Sequence, residues 1–196
     1  MLKNSSKIAH NLLRNCSKNF SKIPLKLLKI CSEKYSKNCS KIAHFDYRML
    51  WKVTILTQQI KDKFTPVEIL KSNVFNSHVV ERYTFGLHMQ FKLSSLELSL
   101  NQFHYALTVC SPETFLKMGT LYPEMSAHER NAIDFYIELL RKDSLDENVP
   151  IDAAEKCLNY FQQVYPLHLG SLEICNHSQV LSDNLKSYNA GLDCLR

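Results

Sequence analysis

Apolar and polar residues alternate along positions 83–93 of this chain. Large apolar side chains occupy the odd positions and mostly polar ones the even positions, the apolar set being Tyr83, Phe85, Leu87, Met89, Phe91 and Leu93. A period of two is typical of a β-strand with one buried face. The pattern therefore predicts a strand around 83–93. The alternation weakens over 94–110, and that segment fits a helix and a strand equally well.

A spacing of three to four residues marks the second half of the chain. A capping-box pattern begins at Ser126 and an apolar stripe at helical spacing follows it. A second stripe lies between Pro150 and Pro166, formed by Ala154, Cys157, Leu158, Phe161, Val164 and Tyr165. Because two helices joined by a short loop pack antiparallel, the sequence predicts a helical hairpin around 126–165.

These patterns together predict a helix-dominated α+β fold with one amphipathic strand, and an all-α fold is the alternative. A length of 196 residues is enough for one compact domain with its own core. We place this single globular domain at 45–175. A basic low-complexity arm precedes it at 1–44, and a polar C-terminal tail follows it at 176–196.

The arm differs from the rest of the chain in charge. Residues 1–42 contain ten Lys and Arg and one acidic residue, whereas residues 43–196 contain fourteen basic and eighteen acidic residues. The net charge is thus +9 in the first segment and −4 in the second. Ser-Lys-Ile-Ala-His occurs at 6–10 and again at 40–44. Repetition of this kind without a fixed period is typical of low-complexity sequence.

Apolar residues in the arm nevertheless recur every three or four positions, so the arm is predicted to be helical or disordered. A basic amphipathic helix can bind a protein partner, lie on an anionic membrane surface, or serve as a mitochondrial presequence. Nucleic-acid binding is disfavoured because the lysines are spaced rather than clustered. We predict that the partner-binding residues of the arm are Ile8, Leu12, Lys18, Phe20, Lys22, Ile23, Lys26 and Leu27.

Composition excludes some functions and places the protein in a reducing compartment. The 4 glycines are isolated, and phosphate-binding loops need closely spaced glycines, so nucleotide binding of that kind is excluded. The number of cysteines, 7, is odd, and no secretory signal is recognised, which predicts free thiols in the cytoplasm or the mitochondrial matrix. No apolar run reaches the roughly 20 residues that a membrane-spanning helix needs.

Candidate catalytic residues are few and dispersed. His104 and Cys110 are six positions apart, so they share neither a helix face nor hydrogen-bonding distance along a strand, and His88 is farther still. Cys175 and His177 form one close pair, whereas a structural zinc site usually takes two. The sequence therefore predicts no cofactor and no metal, and it leans against an enzyme without deciding the question.

We interpret the chain as a non-enzymatic protein–protein interaction or assembly factor that uses an apolar groove of its helical body. Two alternatives stay open at this stage. One is a mitochondrial matrix factor with a cleavable basic presequence, and the other is an enzyme whose site is assembled from dispersed His and Cys residues.

Overall fold

A computed structural model of the chain describes residues 36–64, 77–170 and 177–193. Over these residues the backbone is helical apart from short connections. The elements are α1 (Ser36–Phe64), α2 (Ser77–Val109), α3 (Pro112–Thr120), α4 (Tyr122–His128), a π-helical turn (Glu129–Asp134), α5 (Phe135–Arg141), α6 (Asp152–His168) and α7 (His177–Asp193). None of these described helices combines the length and the apolar character needed to cross a membrane.

The core lies between α1 and α2, which form a long antiparallel pair. Two polar contacts give their relative direction, because Asp46 meets His104 and Thr54 meets Glu97. Residues at helical spacing on each partner are fully buried: Ile42, Phe45, Met49, Val53, Leu56 and Ile60 of α1, and Met89, Leu93, Leu96 and Phe103 of α2. Burying one such side chain contributes roughly 1.5–3 kcal/mol, so this pair holds much of the hydrophobic stabilisation.

Helix α6 packs on another side of α2 and closes the core with aromatic rings. The ring of Phe161 stacks on Phe45 at a centroid distance of 6.5 Å and meets Phe103 edge-on at 5.8 Å. Both geometries are favourable for aromatic pairs. Three helices are therefore joined through one aromatic cluster.

The run from α4 to α5 is interrupted by the π-helical turn, which takes one more residue per turn than an α-helix. Beyond it, the Tyr136 hydroxyl donates to the Pro150 carbonyl at 2.8 Å and accepts from the Ala154 amide at 3.3 Å. This ties α5 to the start of α6. The predicted hairpin thus has other bounds: Ser126 lies inside α4 rather than capping it, and Pro166 lies inside α6.

The predicted strand at 83–93 is wrong, and with it the α+β class, because these residues lie within α2 and the described residues form no strand. The all-α alternative fits this part of the chain. Helix α2 is packed against α1, α6 and α7, so apolar side chains are distributed around its whole circumference. Met89 faces the core, whereas Phe91 lies against Gly191 of α7. The alternation at 83–93 therefore comes from apolar contacts on several faces of α2, and not from the two faces of a β-strand.

The division into arm, domain and tail stays a prediction. Helix α1 crosses the first proposed boundary at residue 44, with Ile42 and Phe45 fully buried on either side of it. Helix α7 lies within the segment predicted as a polar tail, and it packs on α2.

Candidate protein-interaction surface

Helix α7 exposes a row of large apolar side chains. Leu181 is 63 % exposed, Leu185 55 %, Tyr188 67 % and Leu192 40 %. Their spacing of four, three and four residues places them on one face of the helix. We call this face, defined by these four residues, the α7 ridge. Isolated exposed leucines are common on soluble proteins, but a contiguous apolar patch marks a contact site.

The opposite face of α7 is polar or small, and it is this face that packs on α2. Asn101 donates to the buried carboxylate of Asp183 at 3.0 Å, and the hydroxyls of Ser95 and Ser187 lie 3.0 Å apart. Ala190 is buried one turn beyond Ser187. A surface helix normally buries its apolar stripe and exposes its polar one. Helix α7 has the reverse orientation, which leaves the α7 ridge facing outward.

The residues beside the α7 ridge carry no charge. When the four ridge residues are assigned to the a and d positions of a heptad, the flanking e and g positions are occupied by Ser182, Asn184, Asn189 and Gly191. Uncharged flanks impose no electrostatic selection on an approaching helix. The α7 ridge can therefore accept the apolar face of another amphipathic helix.

A groove lies beside α7, between it and the α1–α2 pair, with a cavity volume of about 320 Å³. Its lining is largely polar, and it includes Gln58, Gln90, Glu97 and Asn189. The sequence predicts an apolar groove as the contact surface of the body. At this place the structure instead has a polar groove next to an apolar ridge.

The dispersed His and Cys residues are not brought together. His88, His104 and Cys110 all lie on or at the end of α2, where sixteen residues separate the two histidines by about 24 Å. The Cys110 thiol is buried and donates to the Leu107 carbonyl at 3.4 Å, and burial raises its pKa. Among the described residues, no group of three or more His, Cys, Asp or Glu side chains is placed to hold a metal ion.

His104 is held by a carboxylate that sequence reasoning missed. Its Nδ1 lies 2.7 Å from Oδ2 of Asp46, which is buried in α1. The hydrogen bond to Asp46 raises the pKa of His104, although partial burial opposes this. The pair joins α1 to α2 and is accounted for by that structural role.

A charged cluster at the π-helical turn was also missed. Lys52 donates to Glu129 at 2.8 Å and to Asp134 at 2.6 Å, and Arg48 donates to Glu129 as well. The cations and the carboxylates pair with one another across the interface between α1 and the turn. No sequence signal links positions this far apart, so only the fold reveals the cluster.

The predicted partner-binding residues of the arm lie outside the described residues. They are Ile8, Leu12, Lys18, Phe20, Lys22, Ile23, Lys26 and Leu27. Their role stays a prediction.

Comparison with known proteins gives a family and several relatives. The family model described as "Dynactin: Dynein associated protein" matches residues 34–196. The chain is 37 % identical over 150 residues to dynactin subunit 1 of Xenopus laevis, 36 % over 150 residues to that of Gallus gallus, and 33 % over 149 residues to that of Drosophila melanogaster. Each match covers 76 % of this chain and 12 % of the relative, so the chain spans only a small part of the length of these relatives.

Proposed function

This chain belongs to the dynactin (dynein associated protein) family, and from that membership we propose that it is a non-enzymatic interaction or assembly factor of a dynein–dynactin system. Its relatives are named as subunits, and a subunit acts through contacts with other proteins. Of the two locations predicted from the sequence for this protein, family membership supports the cytoplasm. It lends no support to the mitochondrial matrix alternative.

The observation that carries the proposal is the outward orientation of the α7 ridge. A helix that packs its polar face on the body leaves its apolar face for another molecule. Leu185 and Tyr188 lie at the centre of the ridge and are both more than half exposed. We propose that a protein of the dynein–dynactin system binds here by laying an apolar helix along α7.

Energetics set the expected strength of this contact. Covering side chains that are already partly buried recovers on the order of 1 kcal/mol each, and association costs offset part of that gain. The four ridge residues together then supply at most about 4 kcal/mol, so a contact through these side chains alone is expected to have a Kd in the millimolar range or weaker. Tighter binding would require further surface on either side of α7.

The test uses the full chain with purified dynein and purified dynactin, and binding is measured by biolayer interferometry. The variant Leu185→Ser/Tyr188→Ser removes the centre of the α7 ridge without touching the core. We expect its Kd to rise by at least about tenfold, since truncating central apolar contacts costs more than about 1.4 kcal/mol.

The matched control is Leu167→Ser. Leu167 is 77 % exposed, but it lies on α6 and not on the α7 ridge. This variant is expected to bind as the unaltered chain does. Equal binding by the α7 variant would reject the ridge as the contact surface, and absence of binding by the unaltered chain would reject the proposed partners.

A further inference from the structure

We infer that the protein bound on the α7 ridge presents a helix with lysine or arginine beside its apolar face, and that one of these cations enters the polar groove and pairs with Glu97. The inference rests on the proposed function, because it names the chemistry of the partner at the same surface. The apolar contact lies on α7, whereas the charge that selects the partner lies on α2.

The polar groove opens beside the α7 ridge. Asn189 belongs to both, since it follows Tyr188 of the ridge, lines the groove and is exposed. The groove extends from there to Glu97 on α2 and Gln58 on α1. Its cavity volume of about 320 Å³ is at the lower end of the range of ligand pockets, so it suits one long side chain better than a large ligand. A helix on the ridge would carry its flanking side chains past Asn189 to this groove.

The charged side chains that line the groove leave a net charge of −1. Two of them are lysines, Lys61 and Lys186, and three are carboxylates, Glu97, Asp183 and Asp193. One incoming cation would neutralise the groove. An incoming carboxylate would instead add a like charge, which is unfavourable in a confined site.

Glu97 is the carboxylate that this cation can reach. Its Oε1 accepts from the Thr54 hydroxyl at 3.0 Å, and it forms no ion pair within the part of the chain that the structure describes. Asp183, by contrast, is buried and accepts from Asn101 at 3.0 Å and from Lys186 at 3.1 Å. Glu97 is only partly buried, so a cation can form a charge-assisted hydrogen bond with it without losing all its contact with water.

The uncharged lining of the groove also favours a cation. The Thr57 hydroxyl donates to the Val53 carbonyl at 2.8 Å, and the side-chain amide of Gln58 donates to Asp62 at 2.8 Å. These donors are thus used within α1, which leaves the hydroxyl oxygen of Thr57 and the amide oxygen of Gln58 as acceptors. Ammonium and guanidinium groups carry donors and no acceptor. Lysine or arginine therefore matches the groove better than a carboxylate does.

The test is an NMR titration of the isotope-labelled full chain with two synthetic helical peptides of about the length of α7. The peptides share one leucine face for the α7 ridge and differ only in the residues beside it, which are lysine in one and glutamate in the other. The amide signals of Asn189 and Gly191 report binding. We expect a Kd in the millimolar range for the lysine peptide and binding at least about tenfold weaker for the glutamate peptide. The net charge of the full chain is +5 and would by itself favour the glutamate peptide, so a preference for lysine identifies the groove.

Two variants assign the preference to one carboxylate. Glu97→Gln removes the charge but keeps an oxygen for Thr54. The matched control is Glu113→Gln, since Glu113 is exposed on α3, does not line the groove and loses the same charge. We expect Glu97→Gln to reduce the preference for the lysine peptide to about threefold or less and Glu113→Gln to keep it. The amide signals away from the groove should stay unchanged in both variants.

The possible outcomes separate this inference from the proposed function. If the unaltered chain binds the lysine peptide no better than the glutamate peptide, or if the two variants have equal effects, the inference is overturned and the α7 ridge is kept as a contact surface. If neither peptide binds the unaltered chain, the α7 ridge itself is rejected, and the proposed contact is rejected with it.

Discussion

Arg48 on α1 donates two hydrogen bonds to the carboxylate of Glu129, 81 positions later in the chain. The Nε atom lies 3.1 Å from Oε1 and the Nη2 atom 2.7 Å from Oε2. Glu129 is only 1 % exposed, so its charge depends on these donors and on Lys52. The hydrogen bond to Glu129 also raises the pKa of Arg48. This pair fixes the π-helical turn against α1.

We predict strong energetic coupling between Arg48 and Glu129. In a double-mutant cycle with Arg48→Met and Glu129→Gln, the coupling energy is expected to be about 1.5–3 kcal/mol, because Arg48→Met removes two hydrogen bonds from the buried carboxylate of Glu129. Urea denaturation of the four proteins measures it. The exposed pair Glu138–Lys142 is the control, and Glu138→Gln with Lys142→Met should show coupling below about 0.5 kcal/mol. Similar values for both pairs would contradict the prediction.

The pair of His104 and Asp46 makes stability depend on pH. The pKa of His104 is raised above its ordinary value in the folded protein. Its contribution is thus fully present below the unfolded pKa of about 6.5 and is lost as the pH rises through the folded pKa. The unfolding free energy should therefore be larger near about pH 6 than near about pH 8.5, and His104→Gln should shrink that difference.

His128 provides a control of opposite sign. Burial lowers the pKa of His128, so its contribution is lost as the pH falls. The variant His128→Gln is expected to keep or enlarge the stability difference between the two pH values. If His128→Gln and His104→Gln shrink it equally, the assignment to His104 is wrong.

Two helical glycines should respond oppositely to alanine. A Cβ on Gly86 would overlap the Cβ of Phe64, and we expect Gly86→Ala to destabilise the protein by about 1–3 kcal/mol despite the better helix propensity of alanine. A Cβ on Gly191 would lie 3.2 Å from Cε2 of Phe91, a ring edge that can shift. Gly191→Ala should be neutral or stabilising by up to about 1 kcal/mol. Thermal unfolding compares the two, and equal effects would contradict the proposed overlap.

Cys157 should be unreactive in the folded protein. It is fully buried on α6, and burial raises its pKa to about 12, so almost no thiolate forms near neutral pH. Iodoacetamide labelling followed by peptide mass spectrometry should leave Cys157 unmodified in buffer and modify it in urea. Rapid labelling in buffer would show that α6 opens locally.

Local patterns in the sequence are sufficient to predict some of the helices. At the start of α3, Ser111 accepts a hydrogen bond from the Thr114 amide at 3.2 Å and Pro112 follows it, a combination of capping residue and proline that is typical of helix starts. The apolar stripe predicted for α6 is buried at Ala154, Cys157, Leu158, Phe161 and Val164. These features depend on neighbours within one or two turns, which the sequence displays directly.

Other features depend on contacts that the sequence does not display. The period of two at 83–93 is misleading because α2 is surrounded by three helices, and only the fold shows which face each side chain meets. The pairing of Arg48 with Glu129 depends on the π-helical turn, for which no pattern is visible. The α7 ridge is visible in the sequence, because its four apolar residues have heptad spacing. The polar residues between them, however, favour the prediction of a polar C-terminal tail.

The π-helical turn also determines where the length of this segment can change. Its extra residue places Glu129 and Tyr136 on different faces, so that Glu129 points to α1 while Tyr136 reaches the start of α6. Because the wide turn absorbs this extra residue, deleting one residue here, such as Asn131, would let the segment continue as a regular α-helix with both anchors close to their present faces. The same deletion within α4 or α5 would rotate everything after it by about 100°. Gene sequences that encode this fold should therefore gain or lose single codons at the turn more readily than in the α-helices beside it.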